Sequence, residues 1–220
     1  MKKFLHYLFI IPFLIVLGCS KNPCDDLDNG AYKYPEPETR DKSADIYEFF
    51  NIPEPILQCI STDGLIESCI TYPHIVLVWT RNSLQQGFDY IERKFNGFDE
   101  LWRRNDKIEA LIDLYSQLDF ERDWTNYSDA ENGKYSFNII YHEIIIAQEE
   151  ILTELTDSQK LELFQLVLEK LKIKMLKYQE FGGLGVAGSV AILARIMKND
   201  QYQPFIKKYE NSQALMFTVE

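Results

Sequence analysis

The chain has little histidine, little cysteine and no surplus of positive charge. Its 220 residues hold three His, four Cys, ten Gly and eight Pro, with 23 Lys and Arg against 34 Asp and Glu. So few cysteines do not make a disulfide framework, and so little Gly and Pro excludes collagenous or low-complexity structure. A net charge of −11 excludes a sequence-independent nucleic-acid binder, which needs clustered Lys and Arg to release counterions from phosphate. Apolar residues are what the chain has in quantity: 46% are hydrophobic and 14% aromatic. That suffices to bury a core, so an acidic globular protein is expected.

Met1-Lys2-Lys3 is a short cationic start, and Phe4 to Leu17 is an apolar run of fourteen residues. A membrane-spanning helix needs about twenty, so the run has the length of a signal-peptide core. It ends in Val16-Leu17-Gly18-Cys19, which resembles the lipobox of bacterial lipoproteins. The resemblance implies a signal peptide over residues 1–18 and acyl chains, palmitate among them, on Cys19. The expected place is the outer membrane of a bacterial envelope. The polar stretch after Cys19, with Asp25, Asp26 and Asp28, resembles surface-export signals of Bacteroidetes lipoproteins and puts the cell surface ahead of the periplasmic face. Residues 19–42, rich in Asn, Asp, Pro and Glu, are expected to be a disordered tether. Residues 43–220 are expected to form one domain.

Within that domain the apolar spacing is helical almost throughout. Ser43 is expected to cap a helix to Phe50, Ser61 one over Leu65, Ile66, Cys69 and Ile70, and Asp106 one to Leu118. Ser83 with Gln86, and Thr156 with Gln159, have capping-box spacing. The β-branched run Ile75 to Thr80 is expected to be helical, because Pro73 suits a helix start and no partner strand is signalled. Asn96-Gly97 reads as a helix stop, and residues 119–136 as a long loop. The longest helices are expected at 137–155, 157–181 and 184–198, with Gly182-Gly183 separating the last two, and a final helix at 204–209. The expected fold is all-α: about nine helices in an irregular array or bundle of antiparallel pairs.

Residues 52–115 carry a further resemblance. Ile52-Pro53, then Ser61-Thr62-Asp63-Gly64-Leu65-Ile66-Glu67-Ser68-Cys69, Tyr72-Pro73, Gln86-Gly87-Phe88, Phe95-Asn96-Gly97, Glu100-Leu101 and Arg104 together resemble an uncharacterised exported lipoprotein family of Bacteroidetes. The resemblance implies an exported helical domain and assigns no catalytic residue.

Several motifs start and are not completed. Gly183 to Gly188 spells G-x-G-x-x-G, but an amphipathic helix precedes it where a dinucleotide site needs a buried strand, so Gly185 and Gly188 are expected to serve close helix packing. His142-Glu143 begins a zinc-hydrolase motif whose second His position holds Ile146. His142 is expected to be a partly buried helix residue. No metal or other cofactor is implied. Cys24 falls on the tether, while Cys59 and Cys69 are expected either as reduced core thiols or as a disulfide with each other. Trp124, Tyr127 and Tyr135, interleaved with carboxylates, form a candidate ligand-binding loop, unless they fold back as a small core of their own.

Two functions follow. The first is a lipid-anchored, non-enzymatic binding or interaction protein with a protein or glycan partner, held to the membrane by its N-terminal lipid. The rival is a polysaccharide-directed hydrolase using carboxylates such as Glu149 with Glu150 or Asp99 with Glu100. Adjacent helical residues diverge by about 100°, which makes these poor catalytic dyads.

Overall fold

The computed structural model describes residues 22–41 and 45–219. The signal segment, Cys19 and the expected Ser43 cap lie outside the described residues. Among the described residues twelve α-helices follow one another: α1 Ile46–Phe49, α2 Glu54–Leu57, α3 Thr62–Ile70, α4 Leu84–Glu92, α5 Asn96–Arg103, α6 Lys107–Gln117, α7 Asp129–Ile146, α8 Glu149–Leu152, α9 Asp157–Leu176, α10 Tyr178–Asn199, α11 Gln203–Tyr209 and α12 Gln213–Val219. Among the described residues the only β pairing is the single bridge Asp28 to Ala31. The fold is all-α.

The core is built on α10, which packs along both α7 and α9. This helix is long and apolar enough to cross a membrane, yet 61% of its most apolar window is buried within the protein, as in the central helix of a globular core. In front of it α3 packs on α5 and α6, and α6 on α7. At the far end α11 and α12 pack on α10, and α12 also meets α4.

The helix starts follow their caps. The Thr156 hydroxyl accepts from the Gln159 amide while the Gln159 side chain accepts from the Thr156 amide, the full capping box. Ser83 makes its half of the box by accepting from the Gln86 amide. Residues 75–80 are helical as expected, but as a 3-10 helix. Asn96-Gly97 does not end a helix. It begins α5, because the Asn96 side chain accepts from the Ile52 amide and donates to the Ile52 carbonyl, stitching α5 to the chain before α2. The expected loop at 119–136 is shorter too. Ser128 and Glu131 form a capping box that starts α7 at Asp129, so Tyr135 lies on a helix. The expected 137–155 helix stops at Ile146, and Gln148 opens the separate α8. Helix α9 ends at Leu176, before the expected Phe181, and α10 is itself kinked at Gly182, where the separation was expected, with φ 64°, a value that favours glycine. Residues 213–219, beyond the helix expected to be the final one at 204–209, are also helical.

The stretch expected as a tether is docked over part of its length. Cys24 is disulfide-bonded to Cys59, and Cys69 is free and buried. Cys69 is thus the reduced core thiol expected of it, while the expectation for Cys59 is corrected: Cys59 is exposed at the end of α2 and bonded to Cys24, so it is neither a core thiol nor the partner of Cys69. The Tyr32 amide donates to Ser68 Oγ, and the Tyr34 hydroxyl donates to the Ser68 carbonyl at 2.7 Å. Gly64, one turn earlier on α3, leaves room for the Gly30 carbonyl, which a β-carbon there would strike. Arg104 then ties α5 back by donating to the Leu57 and Ile60 carbonyls at 2.8 and 3.1 Å, groups that the end of α2 leaves unpaired.

Candidate functional site

Four helices converge on Glu143 of α7. Its Oε2 lies 2.6 Å from Lys174 Nζ of α9, and both side chains are fully buried. Its Oε1 accepts from the Tyr115 hydroxyl of α6 at 2.8 Å and the Ser189 hydroxyl of α10 at 2.6 Å. Lys174 Nζ also donates to the Gly185 carbonyl and lies 5.5 and 5.7 Å from the Phe120 and Phe181 ring centroids. Burial pushes the Lys174 pKa down, and the Glu143 carboxylate opposes that shift. Every polar atom named has a partner and none reaches solvent. The network therefore sets the register of four helices, and substrate has no path to it.

Gly188 makes this possible. A β-carbon there would lie 2.5 Å from Glu143 Oε2, 2.6 Å from Glu143 Cβ and 3.3 Å from the Ile140 carbonyl oxygen. Close approach to a neighbouring helix, expected for both glycines, holds at Gly188 and is corrected at Gly185, where a β-carbon would meet Phe181 of the preceding turn. Gly188→Ala should cost about 1–3 kcal/mol, the usual range for overpacking. Denaturant unfolding reads this directly, and a neutral effect would mean that α7 and α10 are not this close.

His142 is 3% exposed, with Nδ1 3.0 Å from the Asn138 carbonyl oxygen. Burial lowers its pKa to about 4. Because the folded value lies below the ordinary one near 6.5, neutral His142 favours the fold above pH 6.5. That advantage is lost as the pH falls from about 6.5 towards 4, roughly 3 kcal/mol in all. His142→Leu should flatten the decline of stability across that window; an unchanged pH profile would place the titration elsewhere.

The loop aromatics come together, but around one of the protein's own cations. The Arg122 guanidinium carbon lies 3.6 Å from the Tyr127 ring centroid, 4.3 Å from Tyr135 and 5.2 Å from Trp124. Trp124 also meets Phe181 edge-on, and the Tyr135 hydroxyl accepts from the Asp119 amide. Of the three only Tyr127 is exposed. These aromatics fold back as a small core, with Arg122 in the place a cationic ligand would take.

Of the candidate carboxylates, Glu150 and Asp99 both lie within electrostatic reach of Glu92. Glu100 bonds Arg104 Nε at 2.8 Å. Glu149 and Glu150 face Asp89 and Glu92 of α4 across a polar cleft of about 500 Å³, with Arg195 and Lys198 of α10 also lining it. Glu92 accepts from Trp102 Nε1 at 2.7 Å. Burial raises its pKa, and the charges of Glu150, Asp89 and Asp99 add to the rise. Arg195 donates to the Ala147 carbonyl at 2.8 Å, closing the C-terminus of α7.

A second groove, about 770 Å³, lies between the start of α9 and the end of α10, lined by Leu161, Phe164, Met197 and Tyr202, with Lys160 and Asp200 paired at 2.9 Å on its rim. Leu161, Leu168, Met175, Leu176, Tyr178, Leu184 and Tyr202 are all exposed. This face was missed from sequence because α9 has two apolar sides. Leu163 and Val167 face the core, while Leu161, Leu168 and Met175 face out. The signal was there, as a second set of apolar residues at steps of three and four. Comparison with protein families, curated proteins and solved structures finds no match.

Proposed function

We propose that this chain is a lipid-anchored, non-enzymatic helical interaction protein of the bacterial cell envelope, a member of the exported Bacteroidetes family that residues 52–115 resemble. Acyl chains on Cys19 would hold it on the outer membrane, on the cell-surface side, with a protein or glycan as partner. The observation that carries the interaction reading is the exposed Leu161, Leu168 and Met175 on α9, beside the groove that Leu161 and Phe164 line with Met197 and Tyr202, since exposed apolar patches mark contact sites. The polar network around Glu143, which resembles catalytic machinery in its residue types, is sealed and serves the fold.

One observation favours the rival, a carboxylate hydrolase acting on envelope polysaccharide. The cleft sets Glu92, whose pKa is raised, opposite Glu149 and Glu150, the acid and base types that glycoside hydrolysis uses. Cross-linking on intact cells, followed by affinity capture, tests the two together with incubation of the purified protein on envelope polymers. A stoichiometric protein or glycan partner and no cleavage is the expected result. Polymer cleavage that Glu92→Gln abolishes would replace this reading with the hydrolase.

A further inference from the structure

We infer that the polar cleft between α4, α8 and α10 binds a small zwitterion with an extra positive charge, a free basic amino acid such as lysine or ornithine. The ligand carboxylate rests on Arg195, and its ammonium groups rest among Asp89, Glu92, Glu149 and Glu150. The cleft shares no lining residue with the apolar groove of α9 and α10. The inference therefore goes beyond the interaction reading and does not rest on it.

Arg195 sets this cleft apart from an ordinary acidic surface. It is 7% exposed, whereas Asp89 and Glu92 are half-buried and Glu149 and Glu150 exposed. A guanidinium carries several N–H donors in a rigid fork. Its Nη1 donates to the Ala147 carbonyl. Nε is buried with no partner, and Nη2 makes no hydrogen bond to the described residues. Buried donors left in that state cost free energy unless something else accepts from them. Nε and Nη2 form one edge of the guanidinium, and a carboxylate meets such an edge with two parallel bonds.

The walls supply the opposite charge. Asp89 accepts from Gln85 Nε2 at 2.6 Å and Glu92 from Trp102 Nε1 at 2.7 Å, neutral donors that orient the carboxylates without neutralising them. Among the described residues neither Arg195 nor Lys198 forms an ion pair within 4 Å with any of these carboxylates. Lys198 turns instead to Tyr209, its Nζ 3.4 Å from the hydroxyl and 5.0 Å from the ring centroid. The lining holds four carboxylates against two cations, so a ligand of net positive charge relieves their mutual repulsion. A simple diamine would do only that. A basic amino acid also brings the carboxylate that Arg195 lacks, and a volume of about 500 Å³ lies in the range of small-ligand sites.

Calorimetric titration of the full chain in detergent tests this. L-Lysine and L-ornithine should bind with Kd on the order of 0.1 mM, which a ligand of that size can support. Cadaverine is lysine without its carboxylate, and 6-aminohexanoate is lysine without its α-ammonium. Each should bind about tenfold more weakly or worse, because each loses one charge-assisted contact. Glu150→Gln, at an exposed position, should weaken lysine about tenfold and leave the melting temperature unchanged. Arg195→Gln should erase the preference for lysine over cadaverine. Because Arg195 also closes α7, the ligand series on the wild type decides the matter if that variant does not fold. Leu161→Glu, in the apolar groove, should leave lysine binding intact, which separates failure of this site from failure of the interaction reading. Absence of lysine and ornithine binding at about 10 mM would overturn the inference. So would cadaverine binding as tightly as lysine, which would reduce the cleft to an acidic patch.

Discussion

Lys174→Met should be among the most damaging single substitutions in the chain, costing about 3–5 kcal/mol. It leaves the Glu143 carboxylate buried without its cation, and removing one partner of a buried ion pair strands a charge in a poorly polarisable interior. In a domain of this size that loss lowers the melting temperature by on the order of 10 °C. The pair itself need not be a net source of stability, since taking both charges out of water offsets much of their attraction. The sharper expectation is therefore non-additivity. Glu143→Gln with Lys174→Met removes both charges and keeps an oxygen for Tyr115 and Ser189, so the double variant should be clearly less destabilised than the sum of the two singles. A Lys174→Met variant within about 1 kcal/mol of wild type would show that Glu143 is neutral or hydrated.

Loss of the Cys24 to Cys59 bridge should be nearly as costly. The bond closes a sequence separation of 35 residues, and cross-linking a loop of that length stabilises by about 3–4 kcal/mol in the chain-entropy account. Cys24→Ser, or reductant, should lower the melting temperature by roughly 10 °C and make the chain before Tyr32 sensitive to protease, because the bridge holds the docked N-terminal stretch on α2 and α3. With Cys19 acylated, the denatured chain should show one reactive thiol before reduction, that of Cys69, and three after. A melting temperature indifferent to reductant would remove the bridge from the account.

How much of this was legible follows from the range of each interaction. Helix type and most helix starts are local, and Thr156 with Gln159 or Ser61 before α3 could be read directly. The start of α7 was local too, in Ser128 and Glu131, but Gly133 and the surrounding aromatics looked like a loop. Gly133 is a tolerated helical glycine with open space around it, at a cost of about 1 kcal/mol against Ala. Partner choice was not legible. Nothing near Cys24 says that Cys59 is its partner, and nothing in Glu143 says that Lys174 and Ser189 will meet it, since those pairings exist only once the helices are packed. The residues that carried the family resemblance explain themselves in the structure. Gly64, Ser68, Asn96 and Arg104 each hold one segment against another, so in this chain the pattern describes contacts of the fold.

The proposed envelope role depends first on Cys19. Cells expressing the full chain should be fed an alkyne-tagged palmitate, and the protein recovered from the outer-membrane fraction and assayed for label. The account predicts label on the wild type and none on Cys19→Ala, which should also leave the membrane fraction. Equal labelling of the two proteins, or an unlabelled wild type, would contradict it.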